Sequence, residues 1–332
     1  MKSDERFAML DSWRGISILL VLAAHLLPLG PKSWHLNVGA GLLGMAFFFV
    51  LSGFLVTHYL SASQCGPMDF LIRRLFRILP LAWLYMGLAF LIHPVSREVM
   101  TAHFLFYANY PPKPLIPLTD HLWSLCVEMH FYLGVALLVA SLGKRGLLLI
   151  PILCLGFTLL RVRYGMTYSV ITHFRVDEIL AGATLALIHD GKLNGMPRFT
   201  PRPAFFPVVL LLLLVSSHPD SGFMNYFRPY LAAATVGHTL FAPRTRVVTF
   251  LDNPMLRYIA TISYALYVLH FLLADTWLGS GDKLEKYAKR PLLFAALFVT
   301  AHASTFYYER KWIALGKRIS QKLHAGGLYE LK

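Results

Sequence analysis

The sequence predicts an all-α integral membrane protein, a bundle of about ten transmembrane helices with both termini in the cytoplasm. Three observations carry this. Hydrophobic residues make up 56% of the 332 residues and charged residues 14%, against roughly 25% charged in a soluble domain. The apolar residues fall in continuous runs rather than alternating, which favours helices over a closed barrel, the other structure that satisfies every backbone group in lipid. Lys and Arg are shared unequally between alternate loops: with the N-terminus inside, the inner ends and loops hold 20 and the outer loops 11, as the positive-inside rule requires. The formal charge of +14 is therefore read as basic loops beside anionic lipid, not as a nucleic-acid surface. The chain is too apolar for disorder. Cys65, Cys126 and Cys154 are too few for a disulfide framework and are read as small buried hydrophobes. One domain fills residues 1–332, with no additional soluble domain expected.

The first span is read at residues 13–30, within LDSWRGISILLVLAAH. Arg14 and His25 stand eleven residues apart, three helical turns plus about 20°, and Asp11 to His25 is four turns less about 40°. A helix that starts early enough places all three on one face. His25 would lie roughly 16 Å from Arg14, near the middle of a hydrocarbon core about 30 Å thick. Ionisable groups at that depth usually serve a pathway or a reaction.

The second span, 40–60, holds FFFVLSGFL. Ser52 and Gly53 offer a hydroxyl and a close backbone approach there, or a small-residue helix contact. The third span, 75–93, follows RRLFRILP. Arg74 and Arg77 lie one turn apart with Arg73 beside them, and guanidinium forks match phosphate oxygens. Ordinary positive-inside charge explains the same three residues. The loop at 94–120 carries Pro111, Pro112, Pro114 and Pro117 with Tyr107 and Tyr110. It reads as a stiffened outer lid or a stacking surface.

The fourth span, 121–142, places His121, Ser124, Glu128 and Tyr132 along one face. A carboxylate in lipid needs protein around it and a partner. His130 points elsewhere and reads as structural. The fifth span, 146–161, leads to Arg161, Arg163 and Arg175 beside Asp177 and Glu178. That outer cluster is either an ion-pair surface or the wall of an outward-facing site. The sixth span, 176–190, opens with RVDEILAG. The seventh and eighth, 204–217 and 228–243, are short. The ninth, 255–276, aligns Ser263, Tyr267 and His270, and the tenth is 291–309. No HxxxH or HExxH lies in a span, and CxxC, GxSxG, Walker and GxGxxG patterns are absent, so no metal is expected.

These pieces, in this order, resemble the membrane-bound acyltransferase-3 family. The carriers are Asp11 with Arg14-x10-His25 and Gly15, FFFVLSGFL, Arg74-x-x-Arg77, LWSLCVE at 122–128, RVDEILAG at 175–182 and SYALYVLH at 263–270. The resemblance implies a ten-helix core in the bacterial cytoplasmic (inner) membrane, without the esterase-like outer domain some members carry. It implies O-acylation, most simply acetylation, from cytoplasmic acyl-CoA to a hydroxyl of a cell-envelope glycan, lipid-linked sugar or glycosylated natural product. It makes His25 the catalytic histidine, Arg14 its support, and Arg74 and Arg77, with Arg73 and Ser52, the donor contacts. Asp11 or Glu128 would fix the histidine tautomer, and Arg14, Ser52 and Tyr267 are candidates to meet the oxyanion. Ser124, Arg175, Asp177, Tyr267 and His270 are the acceptor candidates. General-base and acyl-histidine routes both remain open. The competing class is a transporter whose buried His and Glu relay protons, for which a phosphate clamp has no use.

Overall fold

Continuous apolar sequence becomes continuous helix. The computed structural model describes residues 3–62, 66–111, 115–193, 202–242 and 245–325, and no strand occurs among them. The helices are α1 (Ser3–Leu26), α2 (Leu36–Ala62), α3 (Pro67–Ile92), α4 (Arg97–Phe104), α5 (Trp123–Leu142), α6 (Ile150–Arg163) and α7 (Asp177–His189). They continue with α8 (Phe206–Ser217), α9 (Arg228–Phe241), α10 (Arg246–Leu251), α11 (Pro254–Ala274), α12 (Lys283–Ala288), α13 (Arg290–Ala303) and α14 (Arg310–Ala325). Every predicted span falls on a helix. Cys65, Pro112 and Pro114 lie outside the described residues.

Among the described residues six stretches are long and apolar enough to cross a membrane: Met9–Leu26, Leu36–Ala62, Pro67–Ile92, Asp120–Arg163, Pro254–Ala274 and Arg290–Leu323. The stretch from Asp120 holds two of the predicted spans, α5 and α6. Gly143 separates them at φ +62°, a left-handed conformation that glycine adopts without a Cβ clash. Helices α7, α8 and α9 have 13, 12 and 14 residues, about 20 Å each and shorter than a hydrocarbon core of about 30 Å.

The chain divides into two units. The first holds α1, α2, α6 to α10 and residues 254–267 of α11. Its core includes Met9, Trp13, Phe47, Val50, Phe54, Leu213 and Val236. Trp13 stacks on Phe47 with ring centroids 4.6 Å apart and donates its indole N–H to Thr239 Oγ1 at 2.9 Å. Small residues set the helix spacing. Ser17 donates to the Gly44 carbonyl at 2.8 Å, joining α1 to α2. A Cβ on Gly53 would strike the Ile179 carbonyl, and one on Gly182 would strike the Val50 carbonyl. α2 and α7 therefore touch backbone to backbone through a reciprocal pair of glycines.

The second unit holds α3 to α5, residues 268–274 of α11, and α12 to α14. α14 packs on α3 with Gly316 against Phe76. Ser320 donates to Asp69 Oδ1 at 2.6 Å and accepts from Arg73 Nε at 3.0 Å. In the expected outer loop, α4 is capped by the Ser96 hydroxyl. Asn109 there donates to the Val170 carbonyl at 2.9 Å and to Thr172 Oγ1 at 3.0 Å. The Thr172 hydroxyl also bonds His130 Nδ1 at 2.7 Å, so His130 holds structure, as its position on the helix suggested. The lid segment is thus tied down along this stretch.

Candidate functional site

In the first unit, α1 is unbroken from Ser3 to Leu26, so Asp11, Arg14 and His25 do line one side of it. The helix stops one residue after His25, where Pro28, Gly30 and Pro31 follow. His25 occupies the last turn of the apolar stretch Met9–Leu26, where the residue is exposed at the helix surface. Asp11 lies about 21 Å from His25 along an unbroken axis, too far to fix its tautomer. Its carboxylate instead lies 3.6 Å from Arg14. Gly15 lets this helix approach the Leu256 carbonyl of α11. Ser52 is half-buried on α2. Tyr267 is buried and stacks on Phe48, 6.1 Å between centroids.

The expected outward-facing wall is a buried ion network. Arg161, Asp177, Glu178 and Arg228 have 0% exposure and Arg175 has 1%. Arg161 donates to Asp177 Oδ2, and Thr158 donates to the same oxygen at 3.1 Å. The remaining Arg161 nitrogens reach the carbonyls of Met166 and Thr167 at 3.3 and 2.7 Å. Glu178 takes Arg228 Nε at 2.8 Å on one oxygen and lies 3.3 Å from Arg175 on the other. The Arg175 guanidinium also sits 5.9 Å from the Phe49 ring. Arg175 and Asp177 therefore expose almost no surface to an acceptor, which corrects their assignment. Charges this deep must be paired, and pairing draws them inward. Arg163 alone of the cluster is exposed. Arg228 was missed because a charge at the edge of an apolar run reads as an interfacial residue.

In the second unit, Tyr132 donates to Glu128 Oε1 at 2.9 Å, and both are buried. Arg74 lies 5.8 Å from the ring centroids of Phe70 and Tyr132. Arg73 has its Nε committed to Ser320, so one edge of its fork serves the attachment of α14. Arg77 and Arg74 are half-buried. Ser124 is fully buried. His270 is buried with its ring 4.8 Å from that of His121, whose Nε2 lies 3.2 Å from the Val268 carbonyl. Within this unit, then, a guanidinium from α3 and a phenol and a carboxylate from α5 stand in series, and a histidine pair joins His121, just before α5, to His270 of α11. The Ser263 hydroxyl donates to the Ala260 carbonyl of its own helix at 2.8 Å. Cys126 and Cys154 are buried free thiols.

Comparison with known proteins supplies the context for these groups. The model of the acyltransferase-3 family, an acyltransferase domain, matches residues 7–310. A Staphylococcus aureus (strain COL) protein named "Putative O-acetyltransferase" is 26% identical over 312 residues, covering 79% of this chain and 50% of that protein. The Bacillus subtilis (strain 168) protein named "Putative peptidoglycan O-acetyltransferase YrhL" is 25% identical, covering 79% and 48%. The Listeria monocytogenes peptidoglycan O-acetyltransferase OatA is 25% identical, covering 90% and 54%. The chain thus spans about half the length of the curated relatives it matches. No solved structure matches.

Proposed function

Because the chain belongs to the acyltransferase-3 family and is a multi-pass membrane acyltransferase, we propose that it moves an acetyl group from acetyl-CoA to a hydroxyl of a cell-envelope glycan. The names of its relatives make a peptidoglycan sugar the first acceptor to test. The observation that carries the reading is α1, inside the matched region. It bears Arg14 at its middle and an exposed His25 in its last turn, on one side of one unbroken helix.

His25 is the catalytic histidine in this reading. Its imidazole takes the proton of the acceptor hydroxyl as that oxygen attacks the thioester carbonyl. The carbonyl then re-forms and the CoA sulfur leaves. Arg74 and Arg77 hold the donor phosphates, since the guanidinium fork fits phosphate oxygens. Glu128, fixed by Tyr132, supplies negative charge on the side that holds them. Ten crossings with both termini in the cytoplasm are the arrangement in this reading, α7, α8 and α9 each being lengthened by the 3-10 turn that precedes it. The C-terminal ends of α2 and α7 meet at His58 and Asp190, which fits two helices that both run inward. The membrane is then the bacterial cytoplasmic membrane. Donor and acceptor arrive from opposite sides, Arg14 toward the first and His25 toward the second.

The test is a sealed proteoliposome with labelled acetyl-CoA inside and an impermeant glycan outside. Label should enter the glycan with the parent and drop about 10²–10⁴-fold with His25→Ala. Transfer by the variant at the parent rate would remove His25 from the chemistry. Transfer only with both substrates inside would remove the two-sided arrangement.

A further inference from the structure

The geometry points to a transition-metal site, of the class that binds zinc, formed by His58, His189 and Asp190 at the joined ends of α2 and α7. Nothing in the proposed acyl transfer uses these residues. His58 Nδ1 lies 2.7 Å from Asp190 Oδ1, and His189 Nδ1 lies 3.0 Å from the same oxygen. The three candidate ligand atoms all fall within 4.8 Å of one another. Zinc bonds of about 2.0–2.1 Å in a tetrahedron set ligand atoms roughly 3.4 Å apart. The His58 and His189 contacts to Asp190 would have to open by about 0.7 and 0.4 Å respectively to reach that spacing.

Three surrounding features fit a metal better than a plain hydrogen-bonded cluster. The Ser61 hydroxyl donates to the second carboxylate oxygen of Asp190, the outer-shell contact that orients a carboxylate ligand. Phe54 lies almost parallel to His58 at 5.9 Å and meets His189 edge-on at 5.5 Å, which fixes both imidazoles. Phe54, His58 and Ser61 follow one another at helical spacing on one face of α2. The site also closes two helix C-termini, since α2 ends at Ala62 and α7 at His189. The partial negative charge of both ends favours a cation there.

Side-chain exposure is 24% at His58, 16% at His189 and 9% at Asp190. An ion can enter, and a fourth position stays open to water. Two imidazoles and one carboxylate suit zinc among the divalent metals. Without metal, both Nδ1–H groups donate to Asp190. With the ion bound at Nδ1 each neutral ring keeps its proton on Nε2 instead, and binding weakens at pH values low enough to protonate the imidazoles. The bound ion would clamp α2 to α7 one or two turns beyond the glycine contact.

The experiment uses the full chain in detergent, stripped with chelator, and zinc titrated against a competing chromophoric chelator. One zinc per chain is expected. His58→Ala and His189→Ala should each weaken binding at least tenfold, and Ser61→Ala by about 10–100-fold as an outer-shell change. His35→Ala should leave it unchanged, although His35 also faces an aspartate, Asp220, at 2.9 Å. Should the variants fail to fold, cobalt added to the parent decides the matter, because a four-coordinate site gives intense visible bands. Octahedral-type weak bands, zinc binding that survives both histidine changes, or binding lost with His35→Ala would overturn the site. The readout is metal binding, so failure of the acyl-transfer reading leaves it untouched.

Discussion

The Tyr132 hydroxyl donates to the Glu128 carboxylate at 2.9 Å, one turn along α5, while the face of the same ring lies 5.8 Å from the Arg74 guanidinium. One phenol thus serves as hydrogen-bond donor to an acid and as platform for a base. Tyr132→Phe keeps the platform and removes the donor. It should destabilise the purified protein by about 1–3 kcal/mol, the cost of a buried group left without its bond. A thermal melt of the two proteins in the same detergent measures it. An unchanged melt means water replaces the hydroxyl.

Arg74 and Arg77 differ from Arg73, whose Nε is held by Ser320. Arg74→Ala and Arg77→Ala should each weaken acyl-CoA binding, and Arg74→Lys should restore it only in part because an ammonium cannot form the fork. Calorimetry with a non-hydrolysable acyl-CoA reads this directly. Parent binding should fall as salt rises.

Arg228 holds Glu178 Oε1 at 2.8 Å, Asn225 Oδ1 at 3.2 Å and the Ser216 carbonyl at 3.5 Å, all within 0% exposure. Arg228→Met takes from Glu178 the guanidinium that holds its Oε1 and leaves Asn225 Oδ1 without that donor, although Arg161 and Arg175 still balance Asp177 and Glu178 in number. Breaking a buried pair in this way costs about 3–5 kcal/mol. Loss of most folded protein on purification is expected. The double variant Arg228→Met, Glu178→Leu should recover little of the yield, because it also removes the carboxylate that pairs with buried Arg175.

Gly53 and Gly182 have carbonyls where a Cβ would stand. Alanine at either should push α2 from α7 and lower the melting temperature sharply. Gly87→Ala and Gly134→Ala, with nothing within 4 Å of the added carbon, should be neutral or stabilising, since both sit in helices and alanine is the better helix former.

His103 is buried in the tied-down loop, with Nδ1 2.8 Å from the Val99 carbonyl and Nε2 2.8 Å from the Thr119 hydroxyl. Burial pushes its imidazole below the usual value of 6.5. The unfolded histidine therefore takes up its proton first as pH falls. Its contribution to stability is whole above 6.5 and is lost as pH drops from there toward the folded value. The parent melt should decline over that interval more steeply than that of His103→Gln.

The helices were legible because lipid demands long apolar runs and nothing else in the chain competes with them. Asp11, Arg14 and His25 were legible together because one helix carries all three and its period is known. What escaped depended on partners distant in sequence. Asp69 and Ser320 stand 251 residues apart, and His58 and Asp190 132 apart; motif spacing registers only neighbours on one element. The end of the first helix at Leu26 was harder to read, because it is set by Pro28 and Pro31, beyond the motif itself. Arg175 and Asp177 looked accessible because charge at a loop normally seeks water. Here Arg161 supplies opposite charge to Asp177, and Glu178 to Arg175, at closer range.

The backbone contact between Gly53 and Gly182 acts as a mechanical detent. A slide of one turn along either helix would bring a side chain, Phe49 or Thr57 on one strip and Glu178 or Ala186 on the other, to a place where only a hydrogen atom fits. Shear between α2 and α7 is thereby barred, whatever rearrangement substrate entry requires. Any such motion has to be a rotation taken up at other joints, and the polar groups carried by these two helices must travel with it as a single rigid piece.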